Sequence, residues 1–279
     1  MIEYIEYIIE KYAVTRSACY GKRLRRRPEV FMIDLHCHII PMVDDGARSA
    51  ETACRMALHA VRSGVDTIVA TPHANLDPER PNLRGQRYDE IFSLFCALLR
   101  QRGIPLRVLP GSELFATPSN LEHLLREHRV VTLNHSRYLL TEFRFHAHGS
   151  EISASLDRIA HYGYVPVVAH PERYAAVQQD ARLAAHWFSK GYILQLNKGS
   201  LLGRLGDAAE LSAHELLSMG LAHVIASDAH DTHYRPTGFV SLLPFLERRC
   251  APEYIELLLE TNPRRIIEDK PIPMPGSKF

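Results

Sequence analysis

The sequence predicts an α/β fold: a distorted (β/α)7 barrel of the TIM type, with parallel strands and a single domain. Short apolar, β-branched runs alternate with helical patterns seven times along the chain, which is typical of parallel βα units. The runs are almost continuously apolar, as expected of strands buried on both faces. The length of 279 residues suits one barrel of ~250 residues. An open, doubly wound sheet is the alternative that this alternation leaves open.

The same patterns predict where each element lies. Strands are expected at residues 31–36, 66–73, 106–113, 138–143, 165–170, 192–197 and 223–230. Helices are expected at residues 49–64, 84–102, 119–127, 149–162, 178–190, 207–219 and 238–249. The first helix begins at Ser49, whose side chain suits an N-cap, and stops at Gly64, a residue type common at helix C-termini.

Three segments are predicted along the chain. Residues 1–31 form an N-terminal extension, with isoleucines at helical spacing and five basic residues among the six at 22–27. We interpret the basic run as a solvated linker, and a weak contact with an anionic membrane or partner is the alternative. Residues 32–268 form the predicted α/β domain. Residues 269–279 form an extended, Pro-rich tail.

Composition restricts the class of protein. The 46% of apolar residues exclude disorder over most of the chain. A net charge of +1, from 33 basic and 32 acidic residues, does not favour a nucleic-acid partner. Five scattered cysteines without a C-x-x-C pair argue against disulfides and for a reducing compartment. Because no transmembrane run or secretory signal is recognisable, we expect a cytoplasmic protein, and a homo-oligomer is left open.

The 16 histidines exceed what packing needs, and many of them follow predicted strands. Residues two apart on a strand share a face, so His36 can act with His38, and Asp228 with His230. In a parallel barrel the ends of the strands meet at one rim, where active sites form. Further metal-capable side chains are expected at the same rim: Asp45, His73, Glu113 and His170.

This combination of ligands predicts a metal site. Mixed imidazole and carboxylate groups favour Zn²⁺, Mn²⁺ or Fe over Ca²⁺ or Mg²⁺. The candidates outnumber the positions around one ion, so two to three divalent ions are expected. Glu113 can bridge two of them, because a carboxylate has two oxygens.

The ordered motifs DLHCH, VDDG, ATPH, GSELF, HPERY and SDAH…RP resemble the PHP (polymerase and histidinol phosphatase) superfamily. Within it they are most similar to the CpsB/CapC/YwqE group of bacterial protein-tyrosine phosphatases, over about residues 32–268. The resemblance implies three ions, the third with one ligand not placed. The implied ligands are His36, His38, Glu113 and Asp228 for the first ion, Asp45, His73 and His230 for the second, and Glu113 with His170 for the third.

The resemblance also implies the activity. Arg173 and Arg235 match the phosphate-binding arginines of the family, and His170 or a metal-bound water is expected to supply the proton to the leaving group. The implied protein is a metal-dependent phosphotyrosine-protein phosphatase, with Mn²⁺ favoured over Fe or Zn²⁺. Its expected substrate is a membrane-associated tyrosine autokinase of capsule or exopolysaccharide biosynthesis. The alternatives are another PHP phosphoesterase, such as one acting on histidinol phosphate, and a non-catalytic module that binds the kinase.

Several further residues have competing interpretations. Cys19 and Cys96 both fit the C-x5-R pattern of cysteine-dependent tyrosine phosphatases, but neither follows a strand and enters a Gly-rich turn, so neither is expected to be a nucleophile. Cys37 and Trp187 are predicted to be core residues, and Asp44 a turn residue. Glu142 and Asn197 follow predicted strands, where they either assist the site or are ordinary rim residues. The same ambiguity applies to His146, His148 and His233.

Overall fold

The computed structural model describes residues 32–76 and 82–273. The predicted extension 1–31, including Cys19, and the last part of the predicted tail, 274–279, lie outside the described residues. Nine strands are found in the described part: β1 (Met32–Cys37), β2 (Val65–Ala70), β3 (His73–Ala74), β4 (Arg107–Pro110), β5 (Glu113–Phe115), β6 (Tyr138–Glu142), β7 (Val165–Ala169), β8 (Ile193–Asn197) and β9 (Val224–Ala226).

All strand pairs are parallel and follow one another around a barrel. Their order is β1-β2-β4 in one sheet and β3-β5-β6-β7-β8-β9 in the other. A bridge between Cys37 and Ala229 closes the ring, and the Ala229 carbonyl accepts a hydrogen bond from the His38 N–H at 2.9 Å. The predicted barrel is confirmed, and the open-sheet alternative is excluded.

Two strand predictions are wrong in one respect, because each predicted run is interrupted and forms two short strands. The run predicted at 66–73 divides into β2 and β3, and the run predicted at 106–113 divides into β4 and β5. The first break contains Pro72, which has no N–H to donate to a ladder. The second contains Gly111, where a Cβ would lie only 2.6 Å from a side-chain carbon of Val69. Each pair of half-strands therefore counts as one of seven barrel strands.

The helices described in the structure cover the outside of the barrel. They are α1 (Ala50–Arg62), α2 (Gln86–Gln101), α3 (Leu121–Arg126), α4 (Gly149–His161), α5 (Ala175–Gln179), α6 (Arg182–Ser189), α7 (Lys198–Leu201), α8 (Asp207–Ser218), α9 (Leu243–Glu247), α10 (Pro252–Glu256) and α11 (Asn262–Ile267). The predicted cap of α1 is confirmed, since the Ser49 side chain accepts a hydrogen bond from the Thr52 N–H at 3.1 Å. None of the described helices is long and apolar enough to cross a membrane.

Two helix predictions need correction. The helix expected at 178–190 is interrupted at Asp180, whose carboxylate accepts a hydrogen bond at 3.0 Å from the N–H of Arg182, the first residue of α6. The helix expected at 238–249 is reduced to α9. Its first residues are held as a loop, because the buried Lys198 side chain binds the carbonyls of Pro236 and Gly238.

The barrel interior is filled by alternate strand residues and closed at one end. Ile33, Leu35, Val69, Leu140 and Val167 belong to one buried cluster, which also includes residues of α11 and Ile272. The beginning of the predicted tail is tied to β6, since Tyr138 Oη donates a hydrogen bond to the Lys270 carbonyl at 2.7 Å. The carboxyl ends of the strands are therefore the free end of the barrel.

Candidate metal centre

The eight predicted ligand residues meet at the carboxyl ends of the strands. A continuous set of contacts between 3.0 and 3.6 Å joins them. Three of them lie in strands β1, β3 and β5, and the others lie in the segments that follow β1, β7 and β9: His36, His38, Asp45, His73, Glu113, His170, Asp228 and His230. Residues up to 194 positions apart in the chain thus form one cluster (36 to 230).

The contacts of the first predicted ion site lie between 3.1 and 3.4 Å. The Nε2 atoms of His36 and His38 are 3.1 Å apart. Glu113 Oε2 lies 3.2 and 3.3 Å from these two nitrogens, and Asp228 Oδ1 lies 3.4 Å from each. Atoms bound about 2.0–2.2 Å from one ion lie roughly 3–3.5 Å from one another. The four side chains therefore have the spacing expected of ligands to a common ion.

The second predicted site lies beside the first. Asp45 Oδ1 is 3.5 Å from His73 Nε2 and 3.3 Å from His230 Nε2. Ligand atoms of these three residues and of His38 all lie within 4.8 Å of one another. Asp45 is largely exposed, with 68% of its side-chain surface accessible, so this site opens to solvent.

Glu142, whose role the sequence left open, lies beside the third predicted site. His170 Nε2 is 3.0 Å from Glu113 Oε1 and 3.6 Å from Glu142 Oε1. Ligand atoms of Glu142, Glu113 and His73 also lie within 4.8 Å of one another. Of the two interpretations left open for Glu142, this geometry favours participation in the site.

Burial and charge shift the pKa values of the clustered groups. Burial and the negative charge of Glu113 raise the pKa of Glu142 to about 8. Burial opposes a charge on His38, but Asp44 and Asp228 outweigh it and raise its pKa well above the usual value. Burial lowers the pKa of His170 to about 4, which keeps its imidazole neutral, the form that binds metals. Closely packed buried carboxylates of this kind favour a cation between them.

Two neighbouring side chains orient the histidines. Gln195 Oε1 lies 2.8 Å from His36 Nδ1, and Asp44 Oδ2 lies 2.8 Å from His38 Nδ1. A partner on Nδ1 directs Nε2 towards the cluster, as in many metal sites. Asp44 is also a turn residue, as predicted, because it accepts a hydrogen bond from the Gly46 N–H at 3.0 Å. Sequence reasoning did not identify Gln195. The one indication in the sequence is that an amide side chain interrupts the apolar run predicted as a strand at 192–197.

Glycine is required at position 46 by the same turn. A Cβ there would lie 2.2 Å from the His38 carbonyl oxygen and 2.5 Å from the His38 Cβ. The VDDG motif therefore places two carboxylates on a turn that packs directly against the backbone of a predicted ligand.

The backbone is strained at two of the predicted ligand residues. His170 and Asp228 have φ values of 35° and 49°, in the left-handed region that non-glycine residues seldom occupy. Such positions cost about 1–3 kcal/mol each and concentrate at functional sites. The two residues follow β7 and β9, where this conformation turns their side chains into the cluster.

Both predicted phosphate-binding arginines contact the cluster through Asp228. Arg173 Nη1 lies 3.6 Å from Asp228 Oδ2, and Arg235 Nη2 makes a close ion pair with the same oxygen. The other oxygen, Oδ1, faces His36 and His38. Asp228 thus lies between the predicted metal ligands and the two arginines.

Most of the other candidate residues lie outside the cluster, whereas Asn197 contacts it. His146, His148 and His233 are exposed and belong to none of the potential metal-binding groups found among the described residues. Cys37 and Trp187 are fully buried, so their predicted core roles are confirmed. Cys96 lies within α2, and burial raises its thiol pKa. Asn197 assists the site, because its amide donates a hydrogen bond to Asp228 Oδ2 at 2.6 Å.

The polar atoms of the cluster fit divalent cations. His73 Nδ1, Glu113 Oε2 and His230 Nε2 are buried and have no hydrogen-bond partner among the described residues. Buried polar atoms without partners are rare and costly, and these three point into the groups that can hold an ion. The mixture of imidazole nitrogens and carboxylate oxygens suits Zn²⁺, Mn²⁺ or Fe.

Similarity to known proteins agrees with this centre. Tyrosine-protein phosphatase YwqE of Bacillus subtilis is 34% identical over 231 residues, which cover 82% of this chain and 89% of that protein. Tyrosine-protein phosphatase CpsB of Streptococcus pneumoniae is 31% identical over 245 residues, covering 86% and 99%.

Solved structures show the same architecture. A crystal structure described as that of YwqE and CpsB, "unique metal-dependent tyrosine phosphatases", superposes with a TM-score of 0.78 at 31% identity, covering 88% of this chain and all of that one. A lactonase from Listeria monocytogenes shares the fold at 10% identity, with a TM-score of 0.55 and coverage of 86% and 95%. The profile of the family described as "Capsular polysaccharide synthesis, CpsB/CapC" matches residues 32–268. The resemblance seen in the motifs is thereby confirmed, and the chain belongs to the CpsB/CapC family.

Proposed function

We propose that this protein is a metal-dependent phosphotyrosine-protein phosphatase whose catalytic domain spans residues 32–268. The observation that carries the proposal is the position of Asp228. One of its oxygens faces two predicted metal-ligand histidines, and the other contacts Arg173 and Arg235. A phosphate group held by these arginines would lie directly beside the ions.

The ligands are assigned as three overlapping sets. His36, His38, Glu113 and Asp228 hold the first ion, and Asp45, His73 and His230 hold the second. Glu113, His170 and Glu142 hold the third, which supplies the ligand that the motifs did not place. We propose two to three ions per chain, with Mn²⁺ as the favoured metal.

The bound ions and the two arginines have different roles in the proposed hydrolysis. Divalent ions bound at this centre would polarise phosphate oxygens and lower the pKa of a coordinated water. Arg173 and Arg235 stabilise the negative charge that develops on the equatorial oxygens, because a guanidinium offers paired, planar donors. The phenol of tyrosine has a pKa of about 10, so its departure needs less help from a proton donor than that of an alcohol.

His170 acts as a ligand rather than as the general acid in this proposal. Its pKa of about 4 leaves it without a proton to give at neutral pH. Its Nε2 also lies 3.0 Å from Glu113 Oε1, inside the cluster rather than at the opening. The opening is marked by Asp45, the most exposed of the assigned ligands.

No thiol takes part in the proposed chemistry. Cys37 and Cys54 are buried, and Cys96 lies in α2. Burial raises the thiol pKa of each of these three residues, which disfavours the nucleophilic thiolate.

The biological setting is an extension of the same proposal. Members of this family are described by their role in capsular polysaccharide synthesis, and the relatives are named as tyrosine-protein phosphatases. We propose a tyrosine-phosphorylated protein as the substrate, specifically a membrane-associated tyrosine autokinase of capsule or exopolysaccharide biosynthesis. A cytoplasmic location follows from such a substrate.

One experiment separates this function from its alternatives. Metal content and hydrolysis of a phosphotyrosyl peptide are measured before and after chelation, and again after Mn²⁺ is restored. We expect bound metal, loss of activity on chelation and recovery with Mn²⁺, while iodoacetamide leaves activity mostly intact. A chelator-resistant, iodoacetamide-sensitive enzyme would overturn the mechanism. Preference for histidinol phosphate would favour another phosphoesterase, and absence of turnover would favour the kinase-binding module.

A further inference from the structure

Phe145 is an apolar residue beside the arginine that we assign to phosphate binding. It lies three residues after Glu142, the last residue of β6, and 36% of its surface is exposed. The guanidinium carbon of Arg173 lies 4.3 Å from the centre of its ring. Phe145 is thus exposed at the rim of the site, whereas neighbouring Phe143 is buried in the core.

The Phe145 ring is held in place by contacts with two other rings. Its centre lies 6.0 Å from that of the His170 imidazole, in an edge-on arrangement, and 6.3 Å from that of Tyr174. The Phe145 carbonyl accepts a hydrogen bond from the Ala175 N–H at 2.8 Å, which fixes the backbone against the start of α5. Phe145 therefore presents a fixed apolar surface next to the cluster.

This placement matches the shape of an aryl phosphate. When Arg173 and the ions bind a phosphate group, the organic group attached to it points out of the buried cluster. On its way out it passes Phe145, whose ring lies against Arg173. Aromatic rings pair favourably at centre-to-centre distances of 4.5–7 Å. An alkyl phosphate has no ring to make such a pair. The side chain of an alkyl-phosphorylated residue is also shorter than that of phosphotyrosine, so the substrate backbone would lie closer to the opening.

We propose that Phe145 is a specificity-determining residue, whose ring packs against the phenyl ring of the bound phosphotyrosine and favours aryl over alkyl phosphates. The inference rests on the proposed phosphatase function and adds a residue that selects the organic part of the substrate. Arg173 and the ions bind the phosphate of any monoester, whereas Phe145 contacts only the part in which the monoesters differ.

The test compares two non-hydrolysable ligands with the same head group. Benzylphosphonate carries a ring and methylphosphonate does not, and their binding to the Mn²⁺-loaded protein is measured by titration calorimetry. We expect Phe145→Ala to weaken benzylphosphonate binding by about 3- to 10-fold, the range of one aromatic pair, and to change methylphosphonate binding by less than about twofold. Phe145→Trp should keep the preference for benzylphosphonate.

The outcomes distinguish specificity from simple support of Arg173. If Phe145→Ala weakens the binding of both phosphonates by the same factor, the ring only positions Arg173 and the proposal is overturned. It is also overturned if neither binding constant changes. Leu211→Ala is the matched control, since Leu211 is 71% exposed on α8, and both binding constants should stay unchanged. Failure of the proposed function would appear differently, as a parent protein that binds neither phosphonate.

Discussion

The buried ammonium group of Lys198 donates a hydrogen bond to the Gly238 carbonyl at 2.8 Å and another to the Pro236 carbonyl. Lys198 is the first residue of α7, directly after β8. Its two acceptors belong to the loop that follows Arg235. On the other side of Arg235, the Asp231 carboxylate accepts hydrogen bonds from the N–H groups of His233 and Tyr234. Arg235 is therefore held from both sides.

Replacing Lys198 by Met should loosen this loop. The variant leaves two carbonyls without their charged donor, at a cost of about 1–3 kcal/mol in the free energy of unfolding, and it should lower kcat/KM on a phosphotyrosyl peptide. The loss should be much smaller in an Arg235→Ala background, because the arginine that the loop positions is then missing. Equal losses in both backgrounds would show that Lys198 does not act through Arg235. Lys190→Met, which removes a surface ion pair with Asp157, is the control.

Removing the charge of Glu142 should reduce the metal content. The Glu142→Gln variant keeps the shape of the side chain but loses a carboxylate ligand of the proposed third ion, so elemental analysis should find about one ion fewer per chain. The partly exposed pair of Glu127 with Arg126 offers a control, and Glu127→Gln should keep the full complement. Unchanged metal content in Glu142→Gln would exclude Glu142 as a ligand.

Changing Arg173 to Lys tests the phosphate clamp. The charge is kept, but the planar pair of donors and the stacking on Phe145 are lost, so kcat/KM should fall by about 10- to 100-fold, or roughly 1–3 kcal/mol. Steady-state kinetics on a phosphotyrosyl peptide measure the effect. Arg182→Lys, at a surface pair with Asp180, should be nearly silent. A near-normal Arg173→Lys enzyme would remove Arg173 from phosphate binding.

Acid should destabilise the fold through His223, which lies away from the metal centre. Burial lowers its pKa to about 4, and its Nδ1 accepts a hydrogen bond from the Leu194 N–H at 3.1 Å. The unfolded chain takes up a proton near pH 6.5 and the folded chain only near pH 4. The contribution to stability is therefore present above pH 6.5 and is lost as the pH falls towards 4, by up to about 3 kcal/mol.

The variant His223→Asn isolates this contribution, because its side-chain oxygen can replace Nδ1 as acceptor and does not titrate. Urea unfolding at pH 7 and pH 4.5 should show a smaller acid-induced loss of stability in the variant than in the parent. Equal losses would mean that His223 is not responsible for the acid sensitivity.

The barrel and most of the candidate site were predictable because they depend on neighbours along the chain. Strand–helix alternation is a local pattern, and seven repeats of it close into one ring. The period of two along a strand predicts that His36 and His38 act together. The same rule predicts Asp228 with His230, but these two residues follow the end of β9, and the left-handed backbone of Asp228 turns its side chain into the cluster. Parallel strands bring such side chains to the same end of the barrel, so the sequence itself predicts the rim that carries the candidate metal ligands.

The tertiary structure decided what depends on distant residues. Glu142 and Asn197 both end strands, and no local signal separates them. Only the closed barrel places Glu142 3.6 Å from His170 and turns Asn197 towards Asp228 as a hydrogen-bond donor. The short α9 likewise follows from the contact of Lys198 with the loop at 236–238, about 40 residues further along the chain. Periodicity specifies which face a side chain occupies, but the free energy of a buried charge or carbonyl depends on which partner the fold brings within hydrogen-bonding distance.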